Sequence, residues 1–443
     1  MYPDNNSNSK KLYDRASKVL PGGNSRQAIY YPPYPIYAHS GKGSTVKDVE
    51  GVERLDFVNC NSASILGHGN PQVIKAVQAQ AERLMTTGMP TEGEIQLSEI
   101  IVDRLPAVEK VRFCNSGSEA LMFAARAARA YTGKIKIACL EGAYHGSYDH
   151  FETSLSPMPD NWGPNEAPAT VPATEGLSPS VLEEVIVLPA NDVEATRALL
   201  EKHADELACV VIDPLVSRMG FLPLSQSYLK MIREVTKNNN MALIFDEVFS
   251  FRLGYNGAQG IFGISPDLTT LGKVIGGGLP VGAIAGNSDV MSVFDHAQGK
   301  ARVELSGTFS GNPMSMAAGI ATMEQLTPEA FVHLNHIGER ARVGIRKAIE
   351  KTGIKAIVNG MGSLMSVLFI ENNYNNYREF GINMMTCGAL DTGKAFHRYL
   401  LNHGVLCIEP GGFIFSTANT EEEIDQLIEA SAGFFESLSS NNC

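Results

Sequence analysis

The sequence predicts an α/β fold: a doubly wound, mostly parallel sheet flanked by helices, joined to a smaller α+β part. Three observations predict it. Between about residue 70 and residue 325, β-rich runs at 135–140, 185–188, 209–212, 242–245, 268–271 and 281–285 alternate with helical patterns at 121–131, 193–207 and 228–238. Several of these runs are continuously apolar, as strands covered on both faces are. After a helix-rich stretch at 328–352 the order changes to strand 364–370, helix 388–402, strand 405–408 and a terminal helix over 420–438.

Taken in order, residues 1–60 read as an arm and a hairpin that belong to the small domain. A short helix over 10–19 is followed by "LPGGNSRQAIYYPPYPIY", a Pro-, Gly- and Tyr-rich segment that needs a surface to lie on. "STVKDVEGVERLDFV" is two alternating runs around a Gly turn, a hairpin over 44–58. Residues 61–327 then form the large domain, and 328–443 complete the small one.

Composition narrows the function classes. Hydrophobic residues make up 44% of the 443-residue chain and charged residues 19%, an ordinary globular balance. The net charge of −12 argues against a nucleic-acid surface. No apolar run approaches the roughly 18 residues of a membrane span, and "MYPDNNSNSKK" lacks a signal peptide's apolar core, so a soluble, cytoplasmic protein is expected. The seven cysteines (Cys60, Cys114, Cys139, Cys209, Cys387, Cys407, Cys443) are spread without a C-x-x-C pair and are expected to be reduced.

Four stretches carry candidate chemistry. In "CNSGSEALMFAARAARAYTG", Ser116 to Glu119 fits a capping box opening an Ala-rich helix that ends before Gly133. A Gly/Ser turn at a helix N-terminus suits a phosphate, although an ordinary capped helix reads the same way. "EGAYHGSYDH" follows a strand and places Tyr144 and His145 where open α/β sheets bind ligands; the tyrosine either stacks on a flat ring or belongs to a plain loop. "ALIFDEVFSFR" sets Asp246 directly after four apolar strand residues, where a buried carboxylate needs hydrogen bonds or a cation. A metal or a protonated heterocycle nitrogen meets that need, but no His cluster at ligand spacing accompanies it, so no metal site is expected.

The fourth stretch is "DLTTLGKVIGGGLPVG". Lys273 follows Asp246 by one further strand of the same sheet, so both side chains can face one cavity. A desolvated lysine amine there is suited to forming an imine with an aldehyde, whereas a lone lysine is most often a solvated surface residue. Phosphate cup, ring-stacking tyrosine, carboxylate for a pyridine nitrogen and imine-forming lysine are together the four handles of pyridoxal 5′-phosphate.

With these residues the chain resembles the fold-type-I, class-III aminotransferases over nearly its whole length, through "LPGGNSR", "NSGSEA", "YHG", "FDEV", "DLTTLGKVIGGGLPVGA", "LSGTFSGNPMSMAAG" and "GVLCIEPGG". The resemblance implies a seven-stranded-type sheet and a homodimer in which Thr308 reaches the phosphate of the partner subunit's cofactor. It implies that Ser116, Gly117 and Ser118 hold the phosphate, with Ser118 where relatives usually have Thr. Tyr144 and Val248 would cover the two ring faces, with His145 beside them. Asp246 would keep the ring nitrogen protonated. Lys273 would form the internal aldimine and later move the substrate's proton. Asp213 stands where relatives often have Glu. Arg218, where relatives have a small or amide side chain, is a substrate contact or a surface residue.

Within the class the chain is similar to two groups, the β-amino-acid (β-phenylalanine-type) aminotransferases and glutamate-1-semialdehyde aminomutase. "PGGNSRQAIYYPPYP" is closer to the first in spelling, and there the corresponding arginine, Arg26, binds the substrate carboxylate; otherwise Arg26 is a solvated arm residue. Those enzymes tend to have Pro-Arg-Gly where this chain has Pro410-Gly411-Gly412. The expectation is a transaminase that moves an amino group from a carboxylate-bearing amine, a β-amino acid, to a 2-oxo acid, with intramolecular transfer on glutamate 1-semialdehyde as the alternative. A nucleotide-binding oxidoreductase is disfavoured because "GKGSTV" fails the G-x-G-x-x-G spacing, and a non-catalytic cofactor carrier because Lys273 is present.

Overall fold

A computed structural model of the protein describes residues 1–297, 299–386 and 388–441, so Cys387 and Cys443 lie outside the described residues. The chain forms two compact units: Met1–Pro71 with His333–Asn373 and Asn383–Cys443, and Gln72–Val332 with Tyr374–Ile382.

The second unit is built on a seven-stranded sheet. Its spatial order is Lys110–Cys114, Gly282–Gly286, Leu268–Gly272, Ala242–Asp246, Leu207–Ile212, Lys136–Leu140, Val185–Leu188. Gly282–Gly286 runs antiparallel to both neighbours, and the other pairings are parallel. Every residue of "LACVVI" in Leu207–Ile212 is buried, as the continuous apolar run requires. The helix Gly117–Thr132 lays Ala120, Leu121, Ala124, Ala125, Ala127 and Ala128 against Val211, Ile244 and Ile284. Alanines there let the helix axis approach the sheet closely, and a larger side chain at Ala124 would cost about 1–3 kcal/mol in strain.

Two details depart from the sequence expectation. The strand Lys110–Cys114 was not anticipated: its alternating K-V-R-F-C pattern suits its place at the end of the sheet order, next to a single neighbour. The helix expected over 193–207 stops at Lys202, and Leu207 instead opens a buried strand. The intervening "HADE" makes turns, with the Glu206 and Leu207 N–H groups both donating to His203 O.

The first unit holds a four-stranded sheet of Ala38–Lys42, Thr45–Asp48, Glu53–Asp56 and Val405–Leu406, and a three-stranded sheet of Ile357–Asn359, Leu364–Leu368 and Gly412–Ile414. The expected hairpin is there. Asp48 Oδ1 accepts from Glu50 N at 2.9 Å and Val52 N at 2.8 Å, closing the turn. Phe57, Phe396, Phe413, Phe415 and Phe435 dominate the core of this unit. The arm lies on it: Tyr34 is buried with Tyr2 and Leu401, and Tyr2 Oη donates to Tyr34 O at 2.5 Å. Among the described residues no helix is long and apolar enough to cross a membrane.

Candidate active site

Parallel strands deliver their carboxyl ends to one edge, and the candidate residues follow those ends. Ser116 caps Gly117–Thr132: its Oγ accepts from Glu119 N at 3.1 Å, and Glu119 Oε2 accepts from Asn115 N at 2.6 Å. The helix closes on Gly133 in the left-handed region, as the sequence predicts. First-turn N–H groups at Gly117 and Ser118 have no acceptor within the helix, which makes this end a cup for an anion.

The turn after Lys136–Leu140 meets that cup, because Ser147 N donates to Ser118 Oγ at 3.1 Å. Within the turn, His145 Nδ1 lies 2.8 Å from Asp246 Oδ2, and both side chains are buried. Asp246 ends the strand Ala242–Asp246, and its Oδ1 accepts from Val248 N at 3.1 Å. From the neighbouring strand, Asp213 is buried with its Oδ1 accepting from Leu215 N at 3.1 Å. Burial, and then the charge of Asp246, push the Asp213 carboxyl well above the usual carboxylate range, while Lys273 pulls it down.

Lys273 directly follows Leu268–Gly272, the parallel neighbour of Ala242–Asp246, in which Asp246 pairs with Thr270. Its φ of +47° is the left-handed region, costly for a side chain of this size and held only where the surroundings dictate it. The Nζ sits 4.3 Å from the centre of the Phe249 ring. The glycines that follow allow the chain to turn sharply: Gly277 has φ +57°, and a Cβ there would come 2.3 Å from Ala318 O.

Ser116, Gly117, Ser118, His145, Asp213, Asp246, Val248 and Lys273 thus come together. Tyr144, next to His145, leaves 46% of its surface exposed. Thr308 and Arg218 are exposed on the same unit and make no hydrogen bond or ion pair to this group among the described residues; Arg218 Nη2 donates to Ser156 Oγ at 2.8 Å. Arg26 belongs to the first unit, is exposed, and donates from Nη1 to Cys60 Sγ at 3.4 Å. Sequence reasoning missed Phe249 under Lys273. It also missed the pair Glu141 and Arg378, which lie 237 residues apart and leave no local pattern.

The assembly fits pyridoxal phosphate on its own geometry. His145 Nε2 is buried without a hydrogen-bond partner among the described residues. A Cβ on Gly117 would lie 2.9 Å from both Val248 methyl groups, so the anion cup and the apolar side chain that would cover a ring are in contact. No group of three or more His, Cys, Asp or Glu among the described residues is arranged to hold a metal ion.

Comparison with known proteins agrees. The aminotransferase class-III family model matches residues 27–430. A glutamate-1-semialdehyde 2,1-aminomutase from an Exiguobacterium species is 38% identical over 441 residues, covering 98% of each chain. The solved structure of an omega-transaminase from Sphaerobacter thermophilus superposes with a TM-score of 0.94 at 39% identity, covering 98% of each chain. That of a β-phenylalanine aminotransferase from Variovorax paradoxus gives 0.86 at 31% identity, covering 98% of this chain and 94% of the other.

Proposed function

Since the chain belongs to the class-III aminotransferases, enzymes that work with pyridoxal 5′-phosphate, we propose that it transfers the amino group of a β-amino acid to a 2-oxo acid. The observation that carries amino transfer is the strained Lys273 at the strand end beside Asp246. For the donor, support comes from Arg26 in the "PGGNSRQ" arm and from the likeness to the omega-transaminase and the β-phenylalanine aminotransferase.

The cofactor supplies an aldehyde that takes up amines and a pyridine ring that accepts the electron pair left when a proton leaves the amino-bearing carbon. The chain's residues do the rest. The N–H groups of Gly117 and Ser118, with the Ser116 and Ser118 hydroxyls, bind the phosphate. Tyr144 and Val248 cover the two ring faces. Asp246, oriented by His145, holds a proton on the ring nitrogen, and Asp213 stands beside it as a second carboxyl group. The Lys273 amine would take the proton from the amino-bearing carbon and return it two atoms away, to the carbon on the far side of the nitrogen. Arg26 grips the donor carboxylate through two parallel N–H bonds, and Arg218 offers a second cationic group.

A homodimer completes the site, with Thr308 reaching the partner's phosphate. Exposed apolar side chains on the same unit support an interface: Phe309 is 57% exposed, Met85 63%, Met89 74% and Ile95 60%.

A second reading, intramolecular amino transfer on glutamate 1-semialdehyde, is favoured by the 38% identity to an aminomutase. Gly411 bears on both. A Cβ there would lie 2.5 Å from Val367 O, so the arginine that β-amino-acid enzymes tend to carry has no room on this backbone. Purified protein incubated with β-amino acids and pyruvate or 2-oxoglutarate tests the choice. Formation of the new amino acid supports transamination; 5-aminolevulinate from glutamate 1-semialdehyde, with no transamination product, supports the second reading.

A further inference from the structure

A nine-residue segment, Tyr374–Ile382, belongs to the second unit although the chain on either side of it belongs to the first. Its contacts converge on the turn that carries Tyr144 and His145. Arg378, nearly buried, donates from Nε to Glu141 Oε2 at 3.0 Å and from Nη2 to Glu141 Oε1 at 3.1 Å. Glu141 is itself buried and directly follows the strand Lys136–Leu140. The remaining guanidinium donors reach the loop 162–165. Nη2 donates to Trp162 O at 2.5 Å, and Nη1 to Gly163 O and Asn165 Oδ1 at 2.8 Å each. The guanidinium also lies over the Trp162 ring, 5.1 Å from its centre.

Next to it, the Tyr377 ring presses on Gly142. A Cβ at Gly142 would come 2.1 Å from Tyr377 Cδ2, and the backbone there has φ +77°. Tyr377 Oη donates to Pro157 O at 3.0 Å, and Tyr374 Oη to Met219 O at 2.6 Å. Glu141 and Gly142, the first two residues of the turn, are therefore held by side chains from a distant part of the sequence.

We propose that Arg378 is a positioning residue: together with Tyr377 it fixes the turn Glu141–His145, and so the placement of Tyr144 and His145 against the cofactor. A planar guanidinium spends its donors on two partners at once, a buried carboxylate on the turn and the backbone of a long loop, which an ammonium cannot do. The inference rests on the proposed roles of Tyr144 and His145.

The test uses holoenzyme of the full chain and the variants Arg378→Lys, Tyr377→Ala and Tyr377→Phe. Two quantities are read: the rate at which bound pyridoxal phosphate is lost on dialysis, and the visible circular dichroism of the bound cofactor. Apoprotein melting is recorded alongside. Arg378→Lys is expected to release cofactor about tenfold faster or more, the ratio that matches one charge-assisted hydrogen bond, and Tyr377→Ala to release it faster through the space left against Gly142. Their dichroic band should change, and the faster release should exceed what any drop in apoprotein melting temperature accounts for. Tyr377→Phe, which keeps the ring on Gly142, should restore most of the parent behaviour. Parent-like release and dichroism in both Arg378→Lys and Tyr377→Ala would overturn the proposal, and so would faster release that only tracks a lowered apoprotein melting temperature. If Arg378→Lys does not fold, the two Tyr377 variants decide. A parent protein that bound no cofactor would instead sink the site assignment underneath.

Discussion

His145 Nδ1 and Asp246 Oδ2 meet at 2.8 Å, both buried, at the end of the central strand Ala242–Asp246. The contact fixes which way the carboxylate faces and brings in the turn that carries Tyr144. Asp246→Asn keeps the shape but cannot hold a proton on a ring nitrogen. The half-reaction with an amino donor should slow by roughly 10²–10⁴-fold, the usual loss when a proton-holding group is removed. Stopped-flow absorbance would show it, with cofactor still bound.

Arg26 is assigned the donor carboxylate. Arg26→Ala should raise KM for the carboxylate-bearing amine by about 10–100-fold, corresponding to about 1.5–3 kcal/mol for hydrogen bonds to a charged group. An amine without a carboxylate is the control and should be turned over alike by parent and variant. Equal KM values for the carboxylate substrate would remove Arg26 from the site.

Thr308 and Lys273 are expected to serve one site from two subunits. Lys273→Ala should be inactive and Thr308→Ala should bind cofactor weakly. A mixed dimer of the two holds one site with both changes and one with neither, so each mixed dimer should have about half of the parent's activity and a statistical co-refolding mixture about a quarter. Recovery that never exceeds the average of the separate homodimers would place Thr308 in its own subunit's site.

In the first unit, His397 is buried against Tyr31, with ring centres 4.8 Å apart. Burial lowers its pKa from 6.5 to about 4, against a smaller opposing contribution from the backbone at Cys407. The folded state therefore stays neutral where the unfolded chain already takes up a proton. Stability is full above pH 6.5 and falls as pH drops towards 4, by up to about 3 kcal/mol from this group. His397→Gln should flatten that part of the melting profile, as measured by thermal unfolding of the full protein between those limits.

The pair Asp246 and Lys273 was legible because each member stands at the end of an apolar strand run. Parallel strands put their carboxyl ends on one edge, so "ALIFD" and "LTTLGK" declare neighbouring positions without any tertiary information. Ser116 and Glu119 announced a helix start by local hydrogen-bonding rules; the structure has the Ser116 bond, while Glu119 reaches one residue further back, to Asn115 N. What escaped was decided by contacts far apart in sequence. Lys110–Cys114 alternates charge with apolar residues and reads as a strand only once Gly282–Gly286 lies beside it. Arg378 looks like any helix-start arginine until Glu141 is found opposite it. The tightness at Gly411 likewise comes from Val367, on a neighbouring strand.

The central claim is tested most directly by adding a β-amino acid alone to the yellow holoenzyme and following the visible absorbance. The band should shift, about one equivalent of 3-oxo acid per site should appear, and a 2-oxo acid should then restore the band; Lys273→Ala should form no 3-oxo acid. A band unmoved by every β-amino acid tried, in protein that converts glutamate 1-semialdehyde to 5-aminolevulinate, would contradict it.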